Sequence, residues 1–252
     1  MKISYSWLKE LTGLEWSVDD VADRLTLCGT ACEEIEPMAR YLDKVVVGEI
    51  TGLQPIEGAD KIRKATVNLG TESLDLVCGA PNAAVGQKVA VALEGAELNK
   101  GIKIKKTKIR GVESRAMICA LDELGLYDDH SGIIVLPADT KVGQPVSEAL
   151  ELDDDYILTF ELTPNRADSM SAIGIARDLA ALGGVKLRYP THSLKPTAEK
   201  SSDYVKVSIE DTDICKRFTA RIIKNCKIGP SPWWLQKKLL GAGMRPISNI
   251  VD

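Results

Sequence analysis

Two histidines and no CxxC pair in 252 residues remove several kinds of chemistry at once. Neither His130 nor His192 has a plausible nucleophile beside it, which argues against histidine-based catalysis in this segment. The six cysteines (Cys28, Cys32, Cys78, Cys119, Cys215, Cys226) are scattered. Cys28 and Cys32 lie four apart, but nothing nearby completes a zinc site, so reduced, partly buried thiols are expected and no metal ligand is assigned. No stretch approaches the roughly 18–20 apolar residues of a membrane helix. The N-terminus MKISYSWLKELTG lacks the apolar core of a signal peptide. A cytoplasmic chain with no membrane partner is expected. Aromatic residues are also scarce, and only Tyr41 and Tyr127 fall between residues 39 and 150.

What is present reads in blocks. Residues 1–38 carry two short helices and a strand, with Ser17 to Asp20 as an S-x-x-D capping box and Val18, Val21, Ala22, Leu25 and Cys28 at helical spacing. The polar segment Glu33 to Pro37 closes this block, which is too short to build its own core. From 39 to 150 the texture is β. Strands are predicted at 45–50, 61–69, 74–78, 88–93, 116–120 and 133–136, separated by Gly, Pro and Asn turns, with a helical turn or two at 121–126. That pattern suits a small closed barrel. Beyond 150, strand 156–162 leads to the turn Pro164 to Asp168. A helix follows with Met170, Ile173, Ala176, Leu179 and Ala180 on one face, capped by Asp168 or Ser169 and stopped at Gly183-Gly184. Two undersized blocks flanking a complete barrel predict one discontinuous domain, 1–38 plus 151–190, with the barrel inserted. Residues 191–204 read as a linker. Strands at 204–209 and 218–223 and a helix at 232–241, with Trp233 and Trp234 in its core face, then open a further domain that stops at Asp252.

One segment stands apart in charge. Residues 100–115, KGIKIKKTKIRGVESR, carry seven Lys/Arg against the single acid Glu113. The segment is +6 in a chain of net charge −4, leaving −10 elsewhere. Alternation runs from Ile102 to Lys105 and slips at Lys106; a β-bulge there would turn Ile102, Ile104, Thr107 and Ile109 inward. Lys103, Lys105 or Lys106, Lys108 and Arg110 would then face outward; with Arg115, and with Lys61, Arg63 and Lys64 as an extension, these are the candidate tRNA-binding cations. Two readings stand: a row of cations tracking phosphates, or a solvated strand edge guarded by lysines. With so few aromatics to stack on bases, such a barrel would meet folded RNA through shape and phosphate.

Residues 39–150 resemble the tRNA-binding OB-fold of synthetase-associated proteins. The similarity is carried by VVVGEI (45–50), ADKIRKATVNLG (59–70), LVCGAPN (76–82), GQKVAVAL (86–93), IKIKKTKIRGVES (102–114), MICALDELGL (117–126) and GIIVLP (132–137). The flanks ISYSWLKELTG, ELTPNRADSMSAIGIARDLAAL (161–182) and SPWWLQKKLLGAGMRPISNIVD (231–252) narrow it to the N-terminal portion of the bacterial phenylalanine–tRNA ligase β-subunit family. That resemblance implies an α+β multidomain chain: an OB-fold barrel inserted into a small discontinuous α/β domain, then the truncated start of an editing-type domain at 205–252. It implies an α2β2 holoenzyme that joins phenylalanine to tRNA(Phe) with ATP and Mg2+, the aminoacylation site lying on the α subunit. The editing residues that act on mischarged Tyr-tRNA, and the magnesium-binding carboxylates, would lie past Asp252. No catalytic residue, metal ligand or cofactor is therefore expected in this segment, which alone should be inactive. A free-standing RNA-binding module or chaperone, and a purely architectural spacer, are the competing readings.

Overall fold

The computed structural model describes residues 1–252, apart from the side chain of Asp60. Strand β1 (Lys2–Ser4) runs straight into helix α1 (Tyr5–Thr12), where the Ser4 hydroxyl accepts from the Trp7 amide at 3.3 Å. Helix α2 (Val18–Leu27) begins at the expected box: Ser17 Oγ accepts from the Asp20 amide at 3.1 Å and donates to its carboxylate at 2.8 Å. Strand β2 (Ala31–Pro37) follows. The block thus holds two strands rather than one. The polar segment 33–37 is most of β2, and its acids suit the edge position that this strand takes.

The barrel begins with β3 (Val45–Ile56), β4 (Ala59–Asn68), β5 (Ser73–Cys78) and β6 (Lys88–Leu93). It continues with β7 (Thr107–Ile109), β8 (Val112–Ser114), β9 (Ala116–Ile118) and β10 (Val135–Leu136), then the short helix α3 (Val146–Ala149). All pairings are antiparallel, in the order β10-β6-β3-β4-β5, with β9 also on β6. Because β5 packs against β8 and β9, the sheet curls into a nearly closed barrel. Its interior holds Ile50, Val67, Leu76, Val89, Val91 and Ile118. A second cluster joins Val45, Val47, Ala90, Ala92 and Leu98 to Leu150 and Leu152. Strand β6 contributes to both clusters, which is why its sequence after Lys88 is an unbroken apolar run, Val89 to Leu93. Residues 121–125 form hydrogen-bonded turns, not a helix.

The basic ribbon is where observation departs furthest from the sequence pattern. It is not one bulged strand. Lys103 makes a single bridge to Glu97, and only Thr107–Ile109 then forms a strand, in a tight hairpin with Val112–Ser114. The turn residues Arg110 (φ 50°) and Gly111 (φ 85°) both take the left-handed backbone that a two-residue hairpin loop demands. Of the four side chains predicted to face inward, Ile104 alone is buried; Ile102, Thr107 and Ile109 are exposed.

Strand β11 (Tyr156–Glu161) lies between β1 and β2, with Leu158 opposite both Ile3 and Ile35. Helix α4 (Ala172–Gly183) packs Ile175, Ala176 and Leu179 onto Leu8, Leu25 and Phe160. Its cap is Ser171, accepting from Gly174 at 3.0 Å, rather than Asp168 or Ser169. Those two residues are held in a 3-10 turn by Arg166, which ion-pairs with Asp168 and Asp178 and donates to Ser169 Oγ at 2.7 Å. Met170 precedes the helix and is exposed.

The strands predicted at 204–209 and 218–223 are absent; the backbone there is irregular, and Phe218 and Ile223 are exposed. A strand needs a neighbour for its amides and carbonyls, and no described segment pairs with either. Helix α5 (Trp233–Gly241) does form and docks on the α/β block. Trp233 Nε1 donates to the Leu150 carbonyl at 3.0 Å, Lys237 pairs with Asp155 at 3.2 Å, and Leu240 is buried. Trp234 points outward, so the core role predicted for both tryptophans holds for Trp233 alone. Among the described residues no helix is long and apolar enough to cross a membrane.

Candidate nucleic-acid interface

The β7–β8 hairpin stands on two anchors. On one side Ile104 is buried and its backbone bonds Gly95 and Ala96, each at 2.9 Å. On the other, buried Ser114 donates to the Ala116 carbonyl at 2.8 Å. At the tip, the Arg110 guanidinium donates to the Gly58 carbonyl at 3.2 Å, tying the hairpin to the β3–β4 turn. The cations between these points therefore sit on a braced loop.

Their partners differ sharply. Glu113 is central: its carboxylate lies 2.9 Å from Lys106 Nζ and 3.9 Å from Arg115 Nε, and Lys108 is its cross-strand neighbour. The Lys106 hydrogen bond, then the charges of Lys106, Arg115 and Lys108, hold the Glu113 carboxyl below the usual carboxylate range. Lys103 pairs with Glu97 at 3.4 Å. Among the described residues, neither Lys105 nor Lys108 has a carboxylate within 4 Å.

The extension along β4 is less available. Lys61 is exposed. Arg63, however, donates to the carbonyls of Ala80 (2.8 Å) and Ala83 (3.2 Å), closing the 79–87 loop. Lys64 pairs with Asp75 at 2.7 Å, and Thr66 donates to the same carboxylate at 2.8 Å. These contacts, Lys64 first, keep the Asp75 carboxyl low. Lys88 and Glu49 pair at 2.6 Å. Lys64 and Lys88 on this face are thus neutralised by their own acids and Arg63 is tied to backbone carbonyls, so apart from exposed Lys61 the cations that remain lie on the hairpin.

Two features escaped the sequence pattern. The side chain of Asn82 acts as a piece of strand: Nδ2 donates to the Ile133 carbonyl (2.8 Å) and Oδ1 accepts from the Ile133 amide (3.0 Å). The other is a convergence of Asp122, Glu123 and His130 within 4.8 Å, the metal-ligating types that meet among the described residues. Here Glu123 already accepts from the Ala120 amide at 2.6 Å, and Lys100 Nζ lies 3.8 Å from Asp122. Only the spacing D-E-x6-H could have signalled it, and that spacing alone is weak. All six cysteines are free, and burial pushes the Cys119 thiol up.

Comparison with known proteins gives the frame for this surface. Residues 45–145 match a family described as "Putative tRNA binding domain", and residues 214–252 match the B3/4 domain family. Over 252 residues the chain is 44% identical to a protein of Geobacter sulfurreducens named phenylalanine–tRNA ligase beta subunit. It is 43% identical over 253 residues to one of the same name from Fusobacterium nucleatum. All of this chain is covered, but only 31% and 32% of those relatives, so it spans about a third of their length. A solved methionyl-tRNA-synthetase-related protein of Pyrococcus horikoshii aligns with 40% of this chain and 86% of its own, at 23% identity and a TM-score of 0.31.

Proposed function

The chain belongs to the phenylalanine–tRNA ligase β-subunit family, and from that premise we propose that it serves as the N-terminal, tRNA-contacting portion of such a subunit. The observation that carries this is the tRNA-binding family match over 45–145, which contains the whole braced, cation-bearing hairpin. In the holoenzyme the partners are tRNA(Phe) and the α subunit of an α2β2 assembly, in the cytoplasm. The reaction attaches phenylalanine to tRNA with ATP and Mg2+. Among the described residues, the convergent set Asp122, Glu123 and His130 does not suit Mg2+, which favours octahedral oxygen donors: it includes an imidazole and has an ammonium 3.8 Å from Asp122. This segment's contribution is binding and positioning, and alone it neither aminoacylates nor edits.

The division of the chain follows the same reading. Residues 1–38 and 151–190 form one discontinuous α/β domain around the barrel at 39–150. This is supported by β11 hydrogen-bonding to both β1 and β2, and by the core that Leu158, Phe160 and Ile175 share with Ile3, Leu8 and Leu25. Residues 191–204 link to the start of an editing-type domain at 205–252, supported by the B3/4 match.

One observation favours a second reading, the architectural spacer: most of the nine candidate cations are paired within the fold. Binding separates the two. The 252-residue chain is expected to bind tRNA weakly, with a log–log salt slope of about three, and combined replacement of Lys103, Lys105, Lys106 and Lys108 by Ala should flatten it. Absence of binding at low salt, or indifference to the four changes, would establish the spacer. Measurable hydrolysis of Tyr-tRNA by this chain would refute the claim that it cannot edit.

A further inference from the structure

We propose that Glu113 occupies the seat of an RNA phosphate, so that the RNA contact is the β7–β8 hairpin and its affinity is set by this one carboxylate. The inference rests on the tRNA-contacting function above and deepens it by locating the contact.

Three observations converge. First, Glu113 is the single acid in a sixteen-residue stretch with seven cations. Second, the hairpin register and side-chain geometry gather three of those cations around it: Lys106 at 2.9 Å, Arg115 at 3.9 Å, and Lys108 directly across the strand pair. A phosphate has the same requirement as this carboxylate, acceptor oxygens among Lys and Arg donors, and carries charge of the same sign. Third, the frame is fixed before any ligand arrives, by Arg110 on Gly58, buried Ile104 and the Ser114–Ala116 bond. Binding there need not order a loop, which is the usual cost of a flexible basic segment.

The alternative surface is the outer face of the barrel sheet. It offers exposed Lys61; its Arg63 is tied to the Ala80 and Ala83 carbonyls, and Lys64 and Lys88 are each held by their own acid, Asp75 at 2.7 Å and Glu49 at 2.6 Å, with Thr66 adding a second contact to Asp75. Neutral pairs one-to-one leave no net charge to attract a phosphate. On the hairpin, one carboxylate faces three cations, so a surplus remains and draws the backbone in. Glu113 is half exposed and can swing aside as a phosphate enters. It thereby weakens RNA binding without preventing it. No aromatic residue lies in 100–115, so the contact reads phosphates and not bases.

The test is a matched pair of substitutions in the full 252-residue chain, E113Q on the hairpin and D75N on the sheet face. Both remove one exposed carboxylate and keep its shape. Binding of labelled unfractionated tRNA is followed by fluorescence anisotropy between about 50 and 200 mM salt. E113Q should bind more tightly at the low-salt end, and its affinity should fall about fourfold more across that range, a slope steeper by about one. D75N should match the wild type. If the wild type binds and E113Q equals it, the inference is overturned while the tRNA-binding function stands. Tightening by D75N instead would move the contact to the sheet face and also overturn it. If no variant binds, both fall together. If the wild type does not bind, the tRNA-contacting function falls and the inference falls with it, even if E113Q binds.

Discussion

The His130 imidazole sits 2.9 Å from an Asp122 carboxylate oxygen and 4.0 Å from Glu123. The hydrogen bond to Asp122, then the charges of Asp122 and Glu123, raise its pKa; slight burial and Lys100 oppose this. A raised value means the charged form favours the fold. That stabilisation is complete below the ordinary imidazole pKa of about 6.5 and is lost as pH rises through the higher folded-state value. NMR titration should place the His130 midpoint above that ordinary value, and D122N should bring it down. A midpoint unmoved by D122N would refute the assignment. Single residues were legible where local chemistry decides them, as at Ser17, whose box needs only three neighbours. They were illegible where a distant partner decides them. Arg63 reads as one more surface cation until loop 79–87 folds over it. Asp168 reads as a helix cap until Arg166 takes it.

At the scale of elements, the strands with buried faces were readable in place, although β3 runs six residues past its predicted end and β10 keeps only half of its predicted span. Lys88–Leu93 was read in full, because an apolar run describes its own burial on both sides. The ribbon was misread because Arg110 is an unusual first residue for a two-residue turn, and an alternation count passes straight through it. The Asn82 hook shows a further way in which an element hides from pattern: a side chain in place of a strand, joining loop 79–87 to the chain before β10. N82A should cost about 2 kcal/mol, for two part-buried hydrogen bonds and the Ile133 groups left unpaired. A Cβ at Gly132 would meet the Asn82 side chain at 2.6 Å from Cγ. G132A should therefore be costly in the wild type and nearly free beside N82A, a coupling that urea denaturation of the four-member cycle would measure. Additive costs would show that the two do not touch in solution.

At the scale of the molecule, Asp155 links three separate parts of the chain. Its carboxylate accepts from the Ser6 amide at 2.9 Å and hydroxyl at 2.5 Å, and from the Tyr156 amide at 3.0 Å, while Lys237 of α5 pairs with it. The residue is 1% exposed. D155A should destabilise the chain by about 3 kcal/mol, since it strands the α1 terminus and leaves the Lys237 ammonium with the Glu151 carbonyl in place of a carboxylate. K237A should cost clearly less, because the backbone contacts survive. Equal losses, read from denaturation midpoints, would mean that the ion pair and not the helix cap is what counts. None of this was visible in the acidic run 151–155, where one buried carboxylate looks like its solvated neighbours. The missing strands beyond 204 share that logic: pairing is a property of two segments, and one segment's composition cannot show it.

The three-stranded sheet also imposes an order on synthesis. Its outer strands β1 and β2 are made first, and the strand between them follows about 120 residues after β2. At about 5–20 residues per second, a ribosome leaves them without a centre for roughly 6–24 s. During that interval the apolar faces of Ile3, Leu8 and Leu25 have no Leu158 or Phe160 to cover them, while the barrel between can complete itself. A nascent chain that has emerged only as far as Asp155 should therefore carry a folded barrel beside an uncovered, unfinished head.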